Sequence, residues 1–277
     1  MAETPKFEGL LQRVRSALIL LPFVIAPVVF GGWSFTLLLA IAGFLMAREW
    51  AGLIAAPPGE GNVLGAATVA LLGYGLFVGP LEAVALLWVA ALAMAAFCFA
   101  QGRRLGPVVG GLFYVALPLL AAQFLRQEAL GMFLIGYILI SVWAVDIFAM
   151  FAGKIIGGPK LAPVISPKKT WAGLIGGMVG AALAGILSFL TIVGYGRGEM
   201  QVETILLIAP LLAICAQAAD LFESAIKRRF NVKDSGAIIP GHGGLLDRVD
   251  GLIGVLIIAF IIAVWRGGEA SQALWIW

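Results

Sequence analysis

Charge is what this chain of 277 residues has least of: Asp, Glu, Lys and Arg make up 12% of it, against 62% hydrophobic residues. A soluble fold carries about 25% charged residues, so the shortage excludes a cytosolic globular enzyme and a disordered chain. Cysteine is scarcer still. Cys98 and Cys215 lie far apart in apolar runs, which excludes a disulfide framework or a cysteine-spaced metal cluster and makes redox chemistry a poor expectation. Aspartate is missing from the first half. All five, Asp146, Asp220, Asp234, Asp247 and Asp250, fall in the second.

What the chain has in abundance is long apolar runs. A helix crossing about 30 Å of hydrocarbon needs roughly 20 mostly apolar residues, and about nine candidates stand between Pro, Gly and charged residues: 16–30, 33–47, 63–80, 82–100, 107–125, 129–152, 171–194, 203–223 and 249–265. The first two share the Gly31-Gly32 break and read as separate spans, a tight helical hairpin or one bent element. Residues 16–30 follow a charged stretch as a signal peptide would, but further spans come at once, so the segment reads as a retained helix. Phe7, Leu10, Leu11 and Val14, set against Lys6, Arg13 and Arg15, give it an amphipathic lead-in suited to a membrane surface.

Lys and Arg collect on the cytoplasmic side of short loops. With the N-terminus placed inside, only Arg126, Arg197 and Arg266 of the 18 basic residues fall outside. That bias supports nine spans with the C-terminus outside. It also accounts for the net charge of +3 without a nucleic-acid partner. The expected fold is therefore all-α, a polytopic transmembrane bundle with its N-terminus in the cytoplasm. Its division is into N-terminal membrane helices over 1–130 and a C-terminal catalytic region over 131–277.

By this topology every Asp lies in or beside the cytoplasmic half of the membrane. An ionised residue at the bilayer centre costs about 2.5 kcal/mol or more, so such a cluster requires partners, water or metal. Asp220, Glu223, Ser224 and Lys227 stand at i, i+3, i+4 and i+7, one face of a helix. A Glu223–Lys227 pair at a helix end is the plainer account of that stripe, but Asp220 lies deepest and has no opposite charge at i+3 or i+4. Asp247 and Asp250 share a face at the start of the last span. Capping explains one acid there; two, after a Pro-Gly-His-Gly-Gly loop and matched by Asp220, suit a magnesium-type oxygen site.

Lys227, Arg228, Arg229 and Lys233 either hold phosphate or enforce the inside-positive bias. Gly241, Gly243 and Gly244 permit close backbone approach and offer N–H donors. His242, the lone histidine, is structural or bonds a phosphate or nucleotide. Ser166-Pro167-Lys168-Lys169-Thr170 precedes a helix N-terminus, where anions bind; it reads equally as a phosphate cradle and as a capped helix with anchoring lysines. Asp146 needs a tertiary partner. Arg48, Glu49 and Trp50 fit an interfacial anchor and receive no chemistry, while Gly110-Gly111, Gly173, Gly176-Gly177 and Gly180 suit close helix packing. Acids, basic residues and glycine N–H groups at one membrane face fit metal-assisted phosphoryl or nucleotidyl transfer between a phosphate-rich soluble substrate and a lipid.

The run from Ser224 to Asp250, SAIKRRFNVKDSGAIIPGHGGLLDRVD, closely resembles the signature of phosphatidate cytidylyltransferases, through Ser224, Lys227-Arg228, Lys233-Asp234, Pro240, His242-Gly243-Gly244, Asp247-Arg248 and Asp250. Ser166 to Thr170, Asp146 with Gly153-Lys154, and Asp220 to Glu223 also look like family motifs. The resemblance covers roughly residues 146–254. It implies that CTP and phosphatidic acid give CDP-diacylglycerol and pyrophosphate, the lipid phosphate attacking the α-phosphorus. It further implies Mg2+ held by Asp220 and Asp247, with Asp250 and Asp146 as direct or supporting ligands, and K+ as a monovalent ion at a paired site. Lys227, Arg228, Lys233, Lys168, Lys169 and Arg248 would hold phosphates. Ser166, Thr170, Ser224, His242, Gly243 and Gly244 would add hydrogen bonds. A homodimer in the cell inner (plasma) membrane, its active site facing the cytoplasm, completes what the likeness implies. Ala172 and Met150 depart from residues common in relatives, which puts in doubt a role for those two positions.

Two other functions fit parts of this pattern. A CTP-dependent polyprenol kinase shares the charge logic but transfers the γ-phosphoryl group. A secondary transporter would account for broken helices and membrane acids, yet it predicts an inverted repeat, and the halves show none. A CDP-alcohol phosphotransferase is disfavoured because its Asp-Gly-x-x-Ala-Arg signature is absent.

Overall fold

The computed structural model describes residue 19 and residues 21–128, 130–194, 202–238 and 243–266. The amphipathic lead-in before residue 16 lies outside the described residues, as does most of the start of the first expected span.

Helices occupy all nine expected segments in order: α1 (Leu21–Phe30), α2 (Gly32–Leu53), α3 (Glu60–Phe77), α4 (Pro80–Ala100), α5 (Leu105–Gln127), α6 (Gly131–Ile155), α7 (Trp171–Gly194), α8 (Val202–Arg229) and α9 (Leu246–Trp265). Among the described residues seven, α2 and α4 to α9, are long and apolar enough to cross a membrane. The chain is a polytopic helical membrane protein. Its outward apolar side chains agree: Phe77 and Phe99 are each 87% exposed, a placement that lipid tolerates and water penalises. The ten described residues of α1 rise about 15 Å, and α3 opens on the polar Glu60-Gly61-Asn62. The α1–α2 break is a single residue, Gly31, at φ 66 and ψ −157, backbone that a side chain would strain.

One departure from an all-helical chain is a hairpin between α6 and α7. Strands β1 (Lys160–Ala162) and β2 (Ser166–Thr170) pair antiparallel, Lys160 opposite Thr170 and Ala162 opposite Ser166. Pro159, Pro163 and Pro167 stop helix from running through, and a two-stranded ribbon tolerates Pro167 because both its strands are edges.

The chain forms two compact units that alternate along the sequence. The first comprises Met1–Leu120 and Phe230–Val249. Leu64, Leu72, Leu87 and Leu112 are buried in it. So is Trp50, whose indole N–H donates to the Pro107 carbonyl at 2.9 Å and whose ring stacks at 4.9 Å on Tyr114. Gly111 lies against that indole where a Cβ would overlap. Trp50 is thus a core residue rather than the expected interfacial anchor, because the α5 backbone covers the last turns of α2.

The second unit comprises Ala121–Arg229 and Asp250–Trp277. Here α7 packs on α6 through the expected glycine face. A Cβ at Gly180 would lie 2.7 Å from the Ala144 carbonyl oxygen, and one at Gly176 would overlap Ala152. On α9, Gly254 fits against the Cys215 carbonyl and Ala219 of α8, and Phe124 meets Phe260 edge to face at 5.2 Å.

Candidate functional site

In the second unit the predicted stripe on α8 forms, and its counter-charges come from two places. Lys227 Nζ donates to Glu223 Oε1 at 3.1 Å within the helix, and both are buried, Glu223 completely. That pair is local, as the spacing suggested, but it does not reach out to water. Asp220 takes its cation from the hairpin: Lys169 Nζ lies 2.6 Å from Asp220 Oδ2 and 3.4 Å from the Gln217 carbonyl. Ser224 Oγ donates to Asp220 Oδ1 at 3.3 Å. Thr170, last residue of β2, accepts the Gly173 N–H on Oγ1 at 3.0 Å and so caps α7. Of the two accounts of residues 166–170, the capped helix describes Thr170, while Lys169 is an ion-pair partner. Lys168 and Arg228 are exposed and Ser166 is half-buried.

Asp250 stands near Asp220, Glu223 and Asp146, close enough for their charges to repel. The hairpin, α6, α8 and α9 therefore deliver four carboxylates and two lysines to one neighbourhood of this unit. Crowded like charges are relieved by protons, by ammonium groups or by a metal cation. The donor atoms are all oxygen, which fits a hard divalent ion. Among the described residues no three His, Cys, Asp or Glu side chains form a group that holds a metal unaided. Magnesium does not require one, since it is usually bound by one or two carboxylates together with substrate phosphates and water.

In the first unit the signature loop enters α9 between two carboxylates. Asp247 Oδ2 accepts the Ser235 and Gly244 N–H groups, each at 2.9 Å. Glu49, from the end of α2, accepts the Leu245 N–H on Oε1 and the Leu246 N–H on Oε2, both at 2.8 Å, and the Ser235 hydroxyl at 3.4 Å. The Gly244, Leu245 and Leu246 amides belong to the first turn of α9 and its approach, where a helix leaves N–H groups unsatisfied and favours negative charge; the Ser235 amide comes from the loop before it. Gly243 turns the chain at φ 83, and a Cβ on Gly244 would overlap Ser235 Oγ. The Gly244 N–H thus points to Asp247, so capping describes Asp247 here. An ionised carboxylate has about four acceptor positions, so that role is compatible with cation binding. Lys233, Asp234 and Arg248 are exposed. Pro240, Gly241 and His242 lie outside the described residues.

Two functional contacts escaped the sequence. Glu49 is 5% exposed and clamps the signature loop instead of anchoring a helix end; an acid closing an apolar helix was the available signal. The Lys169–Asp220 pair had a weaker one, namely that Asp220 lacked a local cation.

A family model described as the cytidylyltransferase family matches residues 11–265. A phosphatidate cytidylyltransferase of Brucella suis is 36% identical over 271 residues, 96% of this chain and 98% of that protein. One of Rickettsia bellii is 47% identical over 154 residues, 55% of this chain and 67% of that protein.

Proposed function

The chain belongs to the cytidylyltransferase family, and from that premise we propose how it acts. It transfers the cytidylyl group of CTP to phosphatidic acid, giving CDP-diacylglycerol and pyrophosphate for phospholipid biosynthesis. The observation that carries this reading is similarity along almost the whole length of a phosphatidate cytidylyltransferase. A phosphate oxygen of the lipid attacks the α-phosphorus of CTP, and the bond to pyrophosphate breaks.

The acids and bases divide that work. Lys168, Lys169, Lys227, Arg228, Lys233 and Arg248 hold phosphates of the two substrates, and Ser166, Thr170, Ser224, His242, Gly243 and Gly244 orient them by hydrogen bonds. Asp220 and Asp247, with Asp250 and Asp146, are the ligands for Mg2+, and a monovalent ion such as K+ occupies a paired position. When bound, Mg2+ neutralises charge on the phosphate oxygens during transfer. Lys169 places an ammonium beside Asp220, which lowers the repulsion among the acids near Asp250. Ser224 fixes the Asp220 carboxylate, and Glu49 fixes the backbone from which Asp247 projects.

The finer topology is part of the same proposal: nine spans, the N-terminus in the cytoplasm, the site at the cytoplasmic face of the inner membrane, and a homodimer as the working state. Fifteen of the 18 basic residues fall inside on this topology, which is its support. CTP labelled in the α-phosphate, supplied with phosphatidic acid, tests the reaction. Label is expected in the lipid product; label entering lipid only from the γ-phosphate would make the protein a kinase.

A further inference from the structure

Away from the residues assigned above, the first unit holds a second charged recess, where α2 gives way to α3 and α4 to α5. Glu60, the first residue of α3, is 7% exposed. Its Oε1 receives the Arg103 guanidinium at 2.5 Å, and that guanidinium also lies 5.4 Å from the centre of the Phe97 ring. Its other oxygen, Oε2, is buried without a hydrogen-bond partner. Glu60 and Arg103 line a cavity of about 230 Å³ together with Gly102, Arg104 and Pro107. They also line a smaller apolar recess of about 70 Å³ walled by Val63, Leu64, Met94 and Phe97.

Three features define what fits. Glu60 cancels Arg103, while Arg104 is exposed and has no carboxylate partner among the described residues, so the recess has one positive charge to spare. A buried carboxylate oxygen without a donor is rare in a native fold, so the ligand brings a hydroxyl or amine to Oε2. The cavity is smaller than the 300 Å³ or so at which drug-sized pockets begin. It suits a head group whose apolar remainder continues along outward helix faces, where Phe99 and Leu92 are exposed. Arginine is also the residue best matched to a phosphate diester.

We propose that this recess binds an anionic glycerophospholipid with a hydroxyl-bearing head group, its phosphodiester on Arg104 and Arg103 and its hydroxyl donating to Glu60 Oε2. The site is separate from the residues proposed for cytidylyl transfer, and its test does not depend on turnover. The full-length protein in neutral detergent is mixed with equal amounts of phosphatidylglycerol, phosphatidylmethanol, phosphatidylethanolamine and phosphatidylcholine, and the retained lipid is counted by native mass spectrometry. Phosphatidylglycerol is expected to be retained about tenfold over phosphatidylcholine, and more than phosphatidylmethanol, which has the charge without the hydroxyl. Arg104→Ala should remove most of that preference, whereas Arg48→Ala, an equal loss of exposed charge in the same unit, should leave it. Equal retention of all four lipids, an unchanged preference in Arg104→Ala, or an equal loss in Arg48→Ala would each overturn the site. Soluble glycerol phosphate that displaces nothing at millimolar concentration supports a lipid ligand; full displacement by it would assign the recess to a free phosphate ester instead.

Discussion

Glu49 holds two backbone N–H groups, that of half-buried Leu245 and that of fully buried Leu246. Each orphaned donor costs about 1–3 kcal/mol, so Glu49→Ala should lower the unfolding temperature of the purified protein in detergent. Glu49→Gln, which keeps one acceptor oxygen, should fall between Ala and the parent, and an unchanged melt for Ala would remove the clamp from the account. Asp220→Asn and, separately, Asp247→Asn preserve size and one acceptor oxygen but remove the charge proposed to bind a cation. Loss of a group that merely supports a metal ligand costs about 10–100-fold, so loss of a ligand should cut CTP-dependent turnover by more than about 100-fold while the protein remains folded in the membrane. Full activity in either variant would exclude that residue from the metal site. Asp220, Ser224, Glu223 and Lys227 were legible in the sequence because helical spacing brings them to one face. Glu49 was not, because its partners lie 186 to 197 positions away, and only the tertiary fold brings them together.

Elements follow the same division between local and distant causes. Apolar runs bounded by Gly, Pro and charge announced each helix, since burial in lipid leaves the backbone no alternative to pairing with itself. The β1–β2 hairpin escaped because strands of three and five residues carry too little alternation to read, and the lysines of Ser166–Thr170 suggested a helix approach. The glycines of α7 were correctly taken as packing sites, whereas Gly110 of α5, given the same reading, has open space where a Cβ would lie. Gly180 faces the Ala144 carbonyl and Phe148 of α6, whereas a Cβ at Gly136 would meet nothing within 4 Å. Overpacking a tight contact costs about 1–3 kcal/mol, so Gly180→Val should destabilise the protein in a thermal melt. Gly136→Ala should instead be neutral or stabilising by about 0.5–1 kcal/mol, from helix propensity. Equal effects of the two would mean that the α6–α7 contact contributes little.

At the scale of the whole molecule, what matters is which loops share a side of the membrane, because soluble CTP and a membrane lipid must meet at one face. On the proposed topology the loop before α3 and the hairpin lie inside, with the α3–α4 loop outside. Helix length and apolarity alone leave α3 out of the spanning set, so its crossing is the step that labelling of the loops on either side tests. Cys98 is buried and Cys215 backs the α8–α9 contact, so replacing both by Ala should leave activity nearly intact and give a background free of thiols. Single cysteines are then placed at Pro58, Val78 and Val164, all exposed. An impermeant maleimide applied to the outer face of the inner membrane should label only the Val78→Cys protein, and disrupting the membrane should add the other two. Val78 and Pro58 labelled from the same side would mean that α3 does not cross. Val164 labelled from outside would invert the topology and place the hairpin, with Lys169, on the face away from CTP.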